Sequence, residues 1–425
     1  MTGDSESAYS KLVDRVESSD LLAVLVTVAV IYVLFTVAVF DQGLNSVVST
    51  LRFVTFLGIT YALVALALNL QWGYAGLFNI GVAGFMAVGL YTMLIAVNAP
   101  GGNPPGLGLP LPVGILAGVL MAGLVGVVAA LPALRLRADY LAIVTLGFSE
   151  IIRLTFQSSA LDSWLRESVG IGTGGGSGVI TPQNPVRQLY YVDGTAGSGA
   201  TAFGEFVFGI TGPLEIRETV VIEWTYVLVL VAFLVVTYLL LDRLVNSPFG
   251  RVLKAIREDE LVANSLGKNV DLMKIKVFAI GCALMGLAGI LWFGNQGAIS
   301  PSDFMPILTF YVFVAVIIGG SGSNTGSVIG GLVFAGILFE GPRRVGGVVR
   351  GRFDDSPSTF AEAVVSLDPV ALLAFATDNV AALQFVLLGL VLIAIIHRRP
   401  EGIVGHRVEP AAATDISRRR GDGDE

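Results

Sequence analysis

The sequence predicts an all-α fold: a polytopic transmembrane helical bundle with about ten membrane segments. Three observations carry this. Hydrophobic residues fill 54% of the 425 positions, and mean hydropathy is +0.77. Charged side chains make up only 14%, against about 25% in soluble domains. Four uncharged apolar runs, Leu21–Phe40, Trp224–Leu241, Val277–Gln296 and Asn379–Ile396, are each about long enough for one helix to cross roughly 30 Å of hydrocarbon. Their repetition argues against a cleaved signal peptide, and no small-residue cleavage pattern follows the first.

Taken in order, residues 1–20 form an N-terminal segment ahead of a transmembrane domain, 21–397. Its expected spans are 21–40, 48–69, 73–97, 111–133, 139–157, 222–241, 275–297, 306–320, 325–340 and 379–397. Glycine-rich stretches interrupt the pattern near 72–82 and 319–331. Between the fifth and sixth spans lies a long glycine-rich loop, 158–221. Between the sixth and seventh lies a charged loop, 242–274, and a charged tail, 398–425, closes the chain.

Basic residues set orientation, because loops rich in Lys and Arg stay in the cytoplasm. Residues 242–276 hold Arg243, Arg251, Lys254, Arg257, Lys268, Lys274 and Lys276. The tail adds Arg398, Arg399, Arg407 and Arg418 to Arg420, and Arg135 with Arg137 marks a third basic turn. Ten crossings place all three on one side, the cytoplasm, together with both termini. The loop 158–221 then faces outward with six acids and three arginines. The run from Arg343 to Arg352 falls outside on this count, so either a nearby segment is re-entrant or the rule is broken there.

Glycine inside a membrane helix either permits close packing or marks a broken helix whose freed backbone lines a cavity. Gly73, Gly76, Gly81, Gly84 and Gly89 crowd one stretch, and Gly319, Gly320 and Gly322 open another. Such interruptions in both halves of a chain fit internally repeated transporters. Asn69, Gln71, Asn79, Ser321, Ser323 and Asn324 add polarity without charge. They suit a polar, non-ionic translocation path, and interhelical hydrogen bonds account for them equally well. Glu150 and Arg153, spaced i,i+3 near a span end, read as a local salt bridge. Cys282 lies within an apolar span, and as the sole cysteine it excludes an intrachain disulfide. His397 and His406 read as interfacial.

One segment contradicts its apolar surroundings: "SPFGRVLKAIREDELVANSLGKNV", Ser247 to Val270. Leu253, Ile256, Ala263 and Leu266 recur at helical spacing, and Gly267 is placed to stop a helix. Six charges between Arg251 and Glu260 keep it out of hydrocarbon. It either lies on the inner leaflet as an amphipathic helix or docks into a soluble partner.

The stretch from Ser247 through Trp292 resembles the cytoplasmic loop and following span of permease subunits from branched-chain amino acid ABC importers, the LivM-type subfamily. The likeness continues in "ALALNLQWGYAGLFNIGVAGFMAVGLYT", "LRLRADYLAIVTLGFSEIIR", "GAISPSDF", "VIIGGSGSNTGSVIGG" and "GLVLIAIIHRRPEGIVG", in the family's order across most of residues 60–405. The resemblance implies that the charged loop is a coupling helix contacting a nucleotide-binding subunit. Glu258, Asp259 and Glu260 match the family's acidic cluster, next to Arg257, with Ala263 and Gly267 at its second alanine and its glycine. Val262 stands where the family has its first alanine. Segments 185–220 and 341–378 are longer than the family norm.

The sequence contains no GxxxxGK[ST] run, so it supplies no P-loop of its own. The resemblance accordingly implies a non-enzymatic permease in the cell membrane that binds no cofactor, ATP and Mg being held by partner ATPase subunits. The implied partners are a homologous second permease, two ATPase subunits, an extracytoplasmic solute-binding protein and the lipid bilayer, with no nucleic acid. The candidate translocation path comprises Asn69, Gly73, Tyr74, Gly76, Asn79, Gly81, Gly319, Gly320 and Gly322. The expected solute is a branched-chain or related small amino acid. A sugar-type or urea/amide-type permease of the same superfamily is the alternative within this class. A self-sufficient secondary transporter is the alternative outside it, and it conflicts with the scarcity of ionisable residues in the spans. An intramembrane enzyme lacks any recognisable catalytic pair here.

Overall fold

The computed structural model describes residues 3–133, 138–182, 184–350, 357–365 and 368–404. Arg135, Arg137, Arg352, His406, Arg407 and Arg418 to Arg420 lie outside the described residues, as does most of the tail 398–425.

The chain opens with α1 (Gly3–Val39) and α2 (Leu44–Ala75). Helix α2 is the axis of the bundle, with a nearly continuous buried surface from Phe56 to Ala75. A helix hydrophobic on every face belongs inside a protein or a membrane, and α2 is both. Helices α3 (Val82–Val97), α4 (Leu111–Ala133) and α5 (Ala138–Gln157) follow. Glycines let α3 and the later helix α12 (Val270–Phe293) touch backbone to backbone: a Cβ on Gly89 would lie 2.5 Å from the Gly286 Cα. That is the small-residue packing that replaces hydrophobic drive between helices in lipid.

After α5 the chain bends by 61° into α6 (Ser159–Ser168). The strand β1 (Val179–Ile180), α7 (Arg187–Tyr190) and α8 (Ala202–Thr211) complete the long loop. β1 pairs antiparallel with β2 (Ala298–Ile299), Val179 opposite Ile299, tying this loop to the connection after α12. The remaining helices are α9 (Glu218–Val245), α10 (Pro248–Glu258), α11 (Glu260–Ser265), α12, α13 (Pro306–Gly319) and α14 (Asn324–Val333). Helix α14 widens into a π-helical stretch over Phe334–Glu340 and continues as α15 (Gly341–Arg350). α16 (Phe360–Val365), α17 (Pro369–Asp378) and α18 (Val380–Arg398) end the described chain. At the centre Tyr61 of α2 meets Trp292 and Phe334 edge-on, at centroid distances of 4.6 and 4.8 Å. Such pairs add about 0.5–1.5 kcal/mol each beyond area burial.

The expectation of about ten spans is only partly met among the described residues. Six helices are long and apolar enough to cross: Asp20–Val39, Leu44–Ala75, Leu111–Pro132, Glu218–Val245, Val270–Phe293 and Asn324–Arg344. The bent pair Tyr140–Gln157 and Ser159–Ser168 makes a seventh if it counts as one span. Val82–Val97, Pro306–Gly319 and Gln384–Arg398, where three more spans were expected, are shorter apolar helices. The expected span 73–97 is not continuous, because its first residues belong to α2 and its helix begins only at Val82.

Side-chain contacts sort the two ends of the bundle. At one end Thr325 donates to Asp20 at 2.9 Å and shares a 2.9 Å bond with Tyr238. This gathers the start of the first span, the end of α9 and the start of α14. The chain after α18 returns to the same end, where the Ile403 amide donates to the Ile318 carbonyl at 2.8 Å. At the opposite end Arg52 pairs with Glu223 at 3.0 Å and Trp224 donates to the Val48 carbonyl. The basic run beginning at Arg343 sits toward this second end, where α14 has run its length. Its first two charges are engaged there: Arg344 bonds Glu340 at 2.8 Å, and Arg343 stacks over Phe339 at 4.7 Å.

Candidate functional site

The site is a break in the central helix with a charged loop seated against it. Helix α2 stops at Gly76, whose φ of 70° lies in the left-handed region, a conformation that costs an L-residue about 1–2 kcal/mol and glycine almost nothing. The Gly76 amide then caps Trp72, and the Leu77 amide caps Gln71. Six non-helical residues follow before α3. In hydrocarbon every freed backbone group needs a partner, and side chains supply them. Ile80 N–H donates to Thr145 Oγ1 at 3.0 Å, Gly81 N–H to Asn79 Oδ1 at 2.8 Å, and Ala83 N–H to Thr309 Oγ1 at 3.1 Å.

The neutral polar residues lock this break to its neighbours. Asn79 donates to Gln71 Oε1 at 2.8 Å, and Gln71 in turn donates to the Phe278 carbonyl at 2.8 Å and toward Cys282 Sγ at 3.5 Å. Asn69 accepts from the Gly322 amide at 2.7 Å and donates to the Ser323 carbonyl at 3.2 Å. Interhelical hydrogen bonding therefore accounts for Asn69, Gln71 and Asn79 in this conformation. Gly73 sits between, and a Cβ there would lie 2.0 Å from Asn69 Oδ1 and 2.4 Å from the Gly322 nitrogen. The facing turn, with Gly320 and Gly322 at φ of 106° and 85°, joins α13 to α14. A Cβ on Gly319 would lie 1.9 Å from the Gly326 carbonyl oxygen, so the two helices cross in backbone contact.

The charged loop meets the break through one side chain. Arg257, in the last turn of α10, donates from Nη1 to the Gly73 carbonyl at 2.6 Å. Its Nε and Nη2 hold Glu258 Oε1 at 3.1 and 2.6 Å. A Cβ on Gly76 would lie 3.2 Å from Arg257 Cγ, so the arginine stem packs along the helix terminus.

The single helix expected over 249–267 is in fact two. Asp259, extended at φ −155°, ends α10 and caps α11, its carboxylate accepting from the Leu261 and Val262 amides at 2.9 and 3.0 Å. An aspartate at an N-cap satisfies donors that the helix cannot, and that preference outweighed the apolar periodicity across it. Leu253, Ile256 and Ala263 are buried as the spacing implies, but Leu266 is 72% exposed. With Leu261 at 78% and Val262 at 55% it forms an open apolar face on α11. Glu260 reaches back to Lys274 of α12 at 2.5 Å. Gly267 stops α11 at φ 75° with no atom near its missing Cβ.

The structure thus joins Asn69, Gly73, Tyr74, Gly76, Gly319, Gly320, Gly322 and Arg257 at one end of the bundle. Asn79 and Gly81 lie away from Arg257, against α5 and α12. Asp259, Glu260, Ala263 and Gly267 shape α11: Asp259 caps it, Glu260 ties it to Lys274, Ala263 is buried and Gly267 ends it. Sequence reasoning missed Thr145 and Thr309, whose only signal is a lone hydroxyl in an apolar span. Glu150 and Arg153 form the expected pair, at 2.8 and 2.5 Å.

The family described as "Branched-chain amino acid transport system / permease component" matches residues 50–341. The LivM high-affinity branched-chain amino acid transport system permease protein of Salmonella typhimurium is 35% identical over 265 residues, 62% of this chain and 57% of that relative. A probable LivM branched-chain amino acid transport permease protein of Methanocaldococcus jannaschii is 31% identical, covering 64% of this chain and 76% of its own. The LivH permease protein of the Escherichia coli high-affinity system is 26% identical over 65% of this chain and 80% of its own. The match to the Salmonella relative therefore leaves over two fifths of that protein's length unaligned. No solved structure matches.

Proposed function

The chain belongs to the branched-chain amino acid transport system permease family, and from that premise we propose that it is the membrane-spanning subunit of an ATP-driven importer for branched-chain or related small amino acids. The observation that carries the reading is the Arg257 bond to the Gly73 carbonyl, because it connects a solvent-facing loop to the terminus of a broken central helix. Force applied to α10 is delivered to the last turn of α2, where the Gly76 and Leu77 amides bond the Trp72 and Gln71 carbonyls and the Gly73 carbonyl accepts from Arg257. A transport cycle needs the loop to dock differently in two states, since a ligand shifts an equilibrium only by differential affinity.

In this reading the end holding α10 and α11 is cytoplasmic, and the open face of Leu261, Val262 and Leu266 receives an ATPase subunit that binds ATP and Mg. Both termini share that side of the cell membrane. The short apolar helices α3, α13 and α18, with the bent α5–α6 pair and the six long helices, make up ten membrane segments. A second permease related to LivH, a second ATPase subunit and an extracytoplasmic binding protein complete the assembly. The path follows the α2 break and the α13–α14 turn. Co-expression with those partners and reconstitution into proteoliposomes tests this: leucine uptake requires ATP and all partners. Ion-gradient-driven uptake by the purified chain alone would overturn it.

A further inference from the structure

At the coupling end almost every buried polar group has a partner. Asn69 is taken by Gly322 and Ser323, and Thr325 by Asp20 and Tyr238. Ser323 caps α14 by accepting from the Gly326 amide at 3.0 Å. Asn324 is different. It is 5% exposed, and both its Nδ2 and its Oδ1 are buried with no hydrogen-bond partner. Each such group is costly when left unmade, the more so where water is excluded by lipid. An apolar side chain closer to it in size, such as valine, would avoid that cost, so the amide points to an occupant.

The surroundings define what the occupant is. Asn324 is the first residue of α14, a ten-residue helix continued by a π-helical stretch, and a helix N-terminus favours negative charge. The Tyr74 hydroxyl lies against the Asn324 backbone, so the final turn of α2 forms the other wall. A carboxamide offers donor and acceptor on one plane. Nδ2–H matches a carboxylate oxygen, reinforced by the helix terminus, and Oδ1 matches an ammonium. No charged side chain is needed for a molecule that carries both charges itself.

We propose that the Asn324 carboxamide is a hydrogen-bonding station for the α-carboxylate and α-ammonium groups of an amino acid crossing the coupling end of the bundle. The proposal rests on the permease reading above. It assigns recognition of the amino-acid backbone to Asn324 and leaves side-chain selection elsewhere. The station is shut in this conformation, because the Asn69 bonds hold the α13–α14 turn against α2.

The test uses the full complex in proteoliposomes with radiolabelled leucine. Asn324→Val is expected to lower leucine uptake at least tenfold while the complex still co-purifies and its thermal midpoint stays equal or rises, since two unpaired groups are removed. Uptake within twofold of wild type, with the midpoint raised, would reduce the site to a buried water position and overturn the proposal. A second variant reads the site directly. Cys282 is the sole native cysteine and is fully buried, so Asn324→Cys can be labelled against a silent background. Labelling by a small neutral thiol reagent during ATP turnover, slowed by excess leucine, is expected. Labelling unaffected by leucine, or none in any state, would overturn the assignment. Wild-type complex that transports no leucine would instead strike the permease reading itself, and this one with it.

Discussion

Gly73→Ala places one methyl group where the structure has no room. The new Cβ would lie 2.0 Å from Asn69 Oδ1 and 2.4 Å from the Gly322 nitrogen, whereas non-bonded heavy atoms settle at about 3.5 Å. The Asn69 amide can rotate, but the Gly322 nitrogen is backbone in a turn where Gly320 and Gly322 themselves sit at φ of 106° and 85°. The 2.7 Å bond between them must therefore open. Leaving its buried ends unpaired costs about 1–3 kcal/mol. Forcing the turn outward adds about 1–3 kcal/mol of overpacking. A loss of roughly 2–6 kcal/mol follows from the two together. The assay is thermal unfolding in detergent, read by a thiol-reactive dye, since Cys282 becomes reactive only when the core opens. Gly147→Ala is the control, because nothing lies within 4 Å of its Cβ. The reasoning predicts a clearly lowered midpoint for Gly73→Ala and little change for Gly147→Ala. Equal midpoints for the two variants and wild type would refute it.

Three further outcomes follow. Glu260→Ala leaves Lys274 with its ammonium largely buried, whereas Lys274→Met leaves a half-exposed Glu260 (side-chain exposures 10% and 51%); the first is expected to loosen the 259–269 loop more, by roughly 1–3 kcal/mol, with limited proteolysis as the measurement. Leu261→Ser with Leu266→Ser leaves the chain's midpoint within about 0.5 kcal/mol, because surface changes rarely matter more, yet releases the ATPase subunit in a pull-down if α11 is its seat. Gly267→Arg strains a φ of 75° by about 1–2 kcal/mol and abolishes uptake while membrane insertion, followed by fractionation, is unchanged.

The six long spans were legible because hydrophobic length in lipid leaves a helix few alternatives. The interruption near 72–82 was legible too, but which of its glycines ends the central helix was not. Gly73, Gly76, Gly81, Gly84 and Gly89 look alike in sequence, but only Gly76 adopts a left-handed conformation, while Gly89 serves close packing. That choice depends on what faces each position, and Thr145, Thr309 and Gly322 are brought there from distant sequence. The two-helix form of the charged loop did have a local signal: Asp259 followed by Glu260 is an N-cap pattern, and apolar periodicity masked it. It also changes how the acidic cluster should be tested. Reversing Glu258, Asp259 and Glu260 together would remove an arginine partner, a helix cap and a lysine partner at once, so lost uptake would not isolate docking. The Arg257–Gly73 contact spans 184 positions, and no local pattern announces a backbone carbonyl as a partner.

That contact is the centre of the account, and Arg257→Met tests it most directly in the reconstituted complex. The substitution keeps much of the apolar stem against Gly76 and removes the guanidinium from the Gly73 carbonyl. ATP hydrolysis and leucine uptake are measured in the same vesicles. The account predicts continued hydrolysis with leucine uptake reduced at least tenfold. Uptake that stays at the wild-type ratio to hydrolysis would contradict it.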